Sequence, residues 1–370
     1  MYDVLIVGSG LFGAVFARQC LNAGKTVLVI ERREHIAGNC FTQNVAGIEQ
    51  HVYGPHIFHT NSDKIWDYVQ QFGRFNHFMF RPKVNYHDKL YSFPINLFTL
   101  YQLFRVKTPE EARVRLESAR RKIDNPQNLE EWALSQVGPL IYQMFIRGYT
   151  TKQWMRDPKE LPADIIKRLP VRLSFDDNYF TDRYQGIPEQ GYTAIIRAML
   201  DGATIALETD YLADRDAWDA RAKTVVFTGC IDEFYARRYG ALDYRSLRFE
   251  AQRHELPDYQ GTAVINYTDA TVPYTRVIEH KHFSPVNTPH TLVTHEFPAT
   301  YGAENPTPYY PINDKKNSAL HTQYAALAKQ ESKYIFGGRL AEYRYYDMHQ
   351  VIGSALVSAA RFLGESDDQV

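Results

Sequence analysis

The chain has 370 residues, 44% apolar and 23% charged, with 42 basic against 43 acidic side chains and a formal net charge of −1. It is long enough for more than one domain, and its charge balance offers no basic field to attract nucleic acid or an acidic membrane. Three scattered cysteines without CxxC or Cys/His spacing predict free thiols and no metal site; the lack of a leader-like start or of a long apolar run predicts a cytoplasmic protein without a membrane span.

Residues 2–7 form a short apolar run ending in glycine, which predicts a buried parallel strand. Residues 11–23 read as a helix that Gly24 ends. A second buried strand follows at 26–30, closed by Glu31. Strand, helix and strand fit in about thirty residues, the size of a βαβ unit. Asn61 or Ser62 can cap a helix running to Phe72, and residues 81–93 predict a hairpin turning near His87-Asp88. Thr108-Pro109-Glu110-Glu111 is a helix start with proline in the first turn. Further helices are expected at 129–136, 139–147, 163–168 and 191–200, and a buried strand at 223–228. Alternation through 245–298, as in 262–267 and 276–283, predicts antiparallel sheet. A helix at 317–330, a strand at 333–336 and a helix with an apolar stripe at 347–362 complete the chain.

Gly8-Ser9-Gly10-Leu11-Phe12-Gly13 follows the first strand and opens the first helix, the context that gives GxGxxG its meaning. Gly8 permits the turn, Gly10 lets backbone approach a pyrophosphate, and Gly13 lets helix and strand pack closely. The helix N-terminus supplies amide donors. Glu31 stands where an acid accepts ribose hydroxyls, with Arg32 beside it. The pattern alone fits NAD or FAD. Gly38-Asn39, and a second glycine turn at Gly337-Gly338-Arg339 between a strand and a helix, favour FAD, because a longer dinucleotide is then held from both ends of the chain.

Longer strings carry a more specific signal. They are Gly54-Pro55-His56-Ile57-Phe58-His59-Thr60, Gly148-Tyr149-Thr150-Thr151-Lys152-Gln153-Trp154 and Lys167-Arg168-Leu169-Pro170-Val171-Arg172. Asp176-Asp177-Asn178-Tyr179-Phe180, Val272-Pro273-Tyr274-Thr275-Arg276, Pro308-Tyr309-Tyr310-Pro311-Ile312 and the stretch from Gly338 through Tyr345 to Met348 belong with them. Together they resemble the bacterial UDP-galactopyranose mutases over essentially the whole chain. The resemblance implies reversible interconversion of UDP-galactopyranose and UDP-galactofuranose. It also implies reduced FAD, with flavin N5 as nucleophile at the anomeric carbon, UDP as leaving group and no net redox change. NADPH or another reductant, and a homodimer, are implied partners. Ala37-Gly38-Asn39 stands where relatives often have two glycines, a local departure.

By the same resemblance, Arg168 and Arg276 hold the substrate diphosphate, a task suited to guanidinium groups facing a leaving group that gains charge. Trp154 and Tyr149 border uracil, with Phe145, Thr150 and Tyr179 around base and ribose. Tyr310, Tyr345, Arg339 and Asp347 lie near diphosphate, sugar and flavin. His56 belongs to the loop beside the isoalloxazine, as a general base or as a structural residue that shapes the loop; both readings stand. The expected cofactor-binding set is Gly8, Ser9, Gly10, Phe12, Gly13, Glu31, Arg32, Gly38, Asn39, His56, Ile57, Gly229, Gly338, Arg339, Asp347 and Met348. The expected catalytic set is Arg168, Arg276, His56 and Tyr345.

The fold class expected is α/β: a Rossmann-type FAD-binding domain with a helical lobe and an antiparallel β-sheet substrate domain. Residues 1–80, 185–240 and 332–370 would form the discontinuous FAD-binding domain. Residues 96–170 would form the helical lobe with a mobile loop at 151–160. Residues 81–95, 171–184 and 241–331 would form the sheet. Two competing readings use the same glycine turns: an FAD oxidoreductase such as an amine oxidase, and a non-catalytic nucleotide-binding module. Neither calls for a tryptophan and two arginines on a nucleotide diphosphate.

Overall fold

The computed structural model describes residues 1–167 and 169–365. The strand Tyr2–Val7 is the centre of a five-stranded parallel sheet. Its order is Tyr334–Phe336, Ala222–Phe227, Tyr2–Val7, Val27–Ile30, Thr204–Ala206. Both faces are covered along the inner strands at residues 4–6, 27–30 and 225–227, which is why these segments read as continuous apolar runs. Val4, Ile6, Val27 and Val29 pack on one face under helices Leu11–Asn22 and Met348–Leu363. Leu5, Leu28, Ile30 and Phe227 pack on the other against Tyr211 and Phe234. The last helix lies along the first, where Phe362 meets Phe16 with ring centroids 5.7 Å apart.

A second sheet has seven strands. They run Tyr310–Pro311, Tyr244–His254, Thr291–Thr300, Arg276–Glu279, Val264–Tyr267, Lys83–Tyr86, Lys89–Ser92. Pairing is antiparallel except where Val264–Tyr267 meets Lys83–Tyr86 in parallel. The hairpin at its edge turns on His87 and Asp88, both at positive φ, as a two-residue hairpin turn of matching twist requires. The strand expected at 276–283 stops at Glu279, and His280–His282 form a 3₁₀ turn.

Helices Leu97–Phe104, Pro109–Ala119 and Leu129–Ile141 build a helical lobe around Leu100, Leu116, Leu134 and Ile141. Gly138, at φ 75 before Pro139, interrupts the third helix where the sequence predicts two separate ones. A Cβ at Gly138 would lie 2.4 Å from the Ala119 carbonyl oxygen. The helix expected at 163–168 is a single 3₁₀ turn, Ala163–Ile165. Pro162 and Pro170 bracket too little chain for a stable α-helix. Leu97–Phe104 has no sequence counterpart above, although Asn96 caps it by accepting from Phe98 N and Thr99 N. No helix among the described residues is long and apolar enough to cross a membrane.

Candidate functional site at the junction of two cavities

A groove of about 240 Å³ runs along the carboxyl edge of the parallel sheet. Gly8, Gly10, Phe12, Gly13, Glu31, Arg32, Gly38, Asn39, Gly229 and Gly338 line it. Its floor is backbone packed too closely for side chains. A Cβ at Gly13 would sit 2.1 Å from the Gly8 carbonyl oxygen, and one at Gly38 would sit 3.0 Å from the Gly10 Cα. The start of helix Leu11–Asn22 opens onto this cradle, as a bound pyrophosphate requires. The cradle and the acid beyond it therefore fit the dinucleotide cofactor expected from the sequence.

Ser9, in the expected cofactor-binding set, does not line the groove. It is fully buried, and its N and Oγ donate to Glu31 Oε2 at 3.0 and 2.8 Å. Ser9 thus fixes the Glu31 carboxylate from behind. Arg33, which sequence reasoning passed over, lines the groove, donates to Asn39 Oδ1 at 2.8 Å and lies 4.4 Å over the Tyr53 ring. Nothing in the sequence separates it from its neighbour Arg32. Ala37, at the departure from a glycine pair, has φ 78, the left-handed region that favours glycine.

A second cavity of about 300 Å³ opens beside the groove. Residues 142–147 form a π-helical segment ahead of helix Gly148–Trp154, an irregularity often found at functional sites. Phe145, Tyr149, Thr150 and Trp154 line the cavity from these two segments, and Tyr179 lines it from the chain beyond. Phe145 stacks on Phe93, and Tyr179 packs against Phe80 and Phe180. Tyr310 and Tyr345 stack with centroids 5.3 Å apart, and the Arg339 guanidinium lies 5.3 Å from the Tyr345 ring. Arg339 also donates to the carbonyls of Tyr309 and Tyr346, which fixes its fork. Asp347 begins the last helix, its N–H donating to Gln350 Oε1 at 2.9 Å. Burial pushes the Tyr149 and Tyr310 phenols up, against the opposing pull of Arg276, so both stay neutral hydrogen-bond donors.

Arg276 is gripped from behind by Glu296, a fully buried carboxylate absent from the sequence-based set. Arg276 Nη2 lies 2.7 Å from Oε2, and Nε donates to Oε1 at 2.9 Å. Thr275 Oγ1 adds a donor to Oε1 at 2.9 Å. Burial opposes the charge on Arg276, but the Glu296 carboxylate, with Tyr149 and Tyr310 adding to it, holds the guanidinium well above its ordinary value. The cation at this wall is permanent.

His56 places Nδ1 2.8 Å from the Gly54 carbonyl oxygen. A carbonyl only accepts, so Nδ1 carries the proton and Nε2 keeps its lone pair. Burial pushes the imidazole down to about 4, against the hydrogen bond to Gly54, which favours protonation. His59 sits on Phe180 with centroids 3.7 Å apart, and its Nδ1 is 3.0 Å from Asp182 Oδ2. Arg168 lies outside the described residues.

The groove and the cavity share five lining residues: Asn39, His56, Tyr309, Arg339 and Met348. Ile57 joins the wall on the cavity side. A dinucleotide laid in the groove therefore ends at the mouth of the cavity that collects the aromatic and cationic side chains. Tyr309 at this junction was not singled out from the sequence, although it stands next to Tyr310.

Comparisons with known proteins agree with this arrangement. Residues 144–345 match the family model described as UDP-galactopyranose mutase, and residues 6–72 match an NAD(P)-binding Rossmann-like domain. The chain is 42% identical to a probable UDP-galactopyranose mutase of Klebsiella pneumoniae, covering 99% of this chain and 96% of that one. It is 40% identical to a dTDP-fucopyranose mutase of Escherichia coli, over 98% and 99% of the two chains. The solved structure of a reduced UDP-galactopyranose mutase shares the fold with a TM-score of 0.74 at 15% identity, covering 98% of this chain and 94% of that one. Whole-length identity of this order, joined to a nucleotide-binding Rossmann-like fold, makes this chain an isomerase that belongs to the UDP-galactopyranose mutase family.

Proposed function

We propose that the protein interconverts UDP-galactopyranose and UDP-galactofuranose with reduced FAD held in the groove. The observation that carries this reading is the set of five residues common to groove and cavity. It supports a flavin whose ring end meets a nucleotide sugar. When bound and reduced, the flavin supplies N5 as the nucleophile toward the sugar's anomeric carbon, with no net redox change.

The chain's own residues do the rest. Trp154, Tyr149 and Phe145 take the uracil by stacking and edge contact, and Thr150 and Tyr179 border the ribose. Arg276, kept charged by Glu296, faces the diphosphate and stabilises it as the leaving group gains charge. Arg168 is the second cation of that clamp by resemblance. Arg339, Tyr310 and Tyr345 border the diphosphate and sugar as fixed donors, which need no reorganisation when charge develops. Asp347 adds the one acidic side chain among the described residues of the cavity lining. The neutral Nε2 of His56 can accept a hydrogen bond at the flavin end without adding charge. Its link to Gly54 favours a loop-shaping role over that of a general base. The aromatic walls exclude water from the reacting carbon. Reductant supply by NADPH and a homodimeric state belong to the same reading.

The 40% identity to a dTDP-fucopyranose mutase makes substrate choice the sharpest test. Dithionite-reduced holoprotein is offered UDP-galactofuranose and dTDP-fucofuranose separately, and products are separated chromatographically. Conversion of the UDP-sugar with the higher kcat/KM supports the proposal. Preference for the dTDP-sugar would move the protein to the other substrate, and oxygen-coupled oxidation without isomerisation would make it an oxidase.

A further inference from the structure

We propose that Lys152 is a positioning residue whose ammonium locks the base-binding helix onto the turn that presents Arg276, so that one half-buried cation sets both ends of the nucleotide site. The inference rests on the nucleotide-sugar reading above.

Lys152 lies in helix Gly148–Trp154 but lines neither cavity. Its Nζ donates to the carbonyl oxygens of Tyr267, Asp269, Val272 and Tyr274 at 2.8, 2.8, 2.9 and 2.9 Å. An ammonium has three N–H groups, so four acceptors share them, and the side chain acts as a tethered cation in a ring of oxygens. Those carbonyls belong to the hairpin loop that joins strand Val264–Tyr267 to strand Arg276–Glu279. The loop closes with Tyr267 N donating to Thr275 O at 2.8 Å, next to the Asn266–Arg276 pair. Arg276 therefore leaves the ring two residues after its last oxygen.

Helix and loop also touch at the other end of the helix. A Cβ at Gly148 would lie 2.2 Å from Thr268 O, and Thr268 Oγ1 donates to Met144 O at 2.6 Å. That contact fixes position but not rotation. Lys152 supplies the second point, one turn along, and prevents the helix from swinging Tyr149 and Trp154 away from Arg276. Burial pushes the ammonium down to about 8, with Asp269 opposing, so the cation is intact at neutral pH. Removing it strands carbonyls that turn inward toward a missing donor.

Lys281 provides an internal control. It clamps another loop in the same way, donating to Pro257, Thr288 and His290 carbonyls, and lines neither cavity. The test compares Lys152→Ala and Lys281→Ala holoproteins with wild type by calorimetric titration with UDP. Lys152→Ala is expected to retain flavin and to bind UDP about tenfold more weakly, the scale of one lost charge-assisted hydrogen bond. Ethylammonium ions should recover much of the affinity, and tetramethylammonium, which has no N–H, should not. Lys281→Ala should bind UDP normally. Unchanged UDP affinity in Lys152→Ala overturns the proposal, and so does a loss that ethylammonium fails to recover. Wild-type protein that binds no UDP would instead remove the nucleotide reading. Hydrogen exchange then decides the role of Lys152 alone: faster exchange in both 148–154 and 267–275 supports the lock, and unchanged exchange in either sinks it.

Discussion

The groove and the cavity are built on opposite plans. The floor of the groove is backbone: glycines at 8, 13 and 38, close together in the chain, pack too tightly for a methyl group. The cavity is side chain: aromatic and charged groups from residues as far apart as Tyr53 and Met348 converge on it, and buried carboxylate and imidazole partners hold its wall. Backbone recognition is local and tolerates no added atom, whereas side-chain recognition is assembled from afar and fails one interaction at a time.

Substitutions can break this contrast. The largest effect is expected at Gly13→Val. The added side chain collides with the Gly8 carbonyl and with Ile6, so the protein should purify colourless or fail to fold, a cost above ~4 kcal/mol. Yellow, stable protein would show that the groove is not set by backbone contact. Arg276→Ala should lower turnover by about 10²–10³. Glu296, which pairs with Arg276, adds an effect on stability. The stranded buried carboxylate should cost ~3–5 kcal/mol in denaturant unfolding, and adding Glu296→Gln should recover stability without recovering turnover. Recovery of turnover as well would deny Arg276 its charge-stabilising role.

The same plan makes the cavity half acid-sensitive. Burial holds His56 down to about 4 and His280 to about 3. Their folded values lie below the ordinary 6.5, so the neutral imidazoles favour the fold fully above pH 6.5, and that contribution is lost as pH falls toward 4. Each is worth on the order of 3 kcal/mol by then. Unfolding midpoints measured across this window should fall steeply in wild type and less so in His280→Asn; parallel curves would contradict the assignment. Trp154→Ala should keep its flavin and lose ~1–3 kcal/mol of UDP affinity, the scale of one base stacked on an aromatic ring. An unchanged titration would take Trp154 out of the base site. The smallest effect is expected at Ala37→Gly. Relief of a left-handed alanine, ~1–2 kcal/mol, is offset by chain entropy and by a lost buried methyl, together of similar size. Melting should move little, and a large shift either way would mean that the departure at Ala37 shapes the groove.

The same contrast explains what was legible in the sequence. The first strand, its helix and the glycine motif could be read directly, because local periodicity and short-range backbone constraints determine them. Gly8, Gly10 and Gly13 line the groove for reasons visible in the motif. Ser9 was harder: its position beside the glycines says nothing of the Glu31 carboxylate that turns it inward. On the cavity side, Phe145, Tyr149, Trp154 and Arg276 were named through the family resemblance, not through periodicity. Glu296, Arg33 and Tyr309 carry no role in the sequence reading, because a buried partner is defined by a contact made across a sheet or a loop. The helix expected at 163–168 shrinks to the 3₁₀ turn Ala163–Ile165 for a related reason, since helical composition over a few residues between prolines cannot sustain nucleation.

The most direct test of the account is turnover of UDP-galactofuranose by one preparation of holoprotein, assayed before and after dithionite reduction under anaerobic conditions. The account predicts UDP-galactopyranose from the reduced protein and essentially none from the oxidised. Equal conversion in both states, or conversion by protein stripped of flavin, would contradict it.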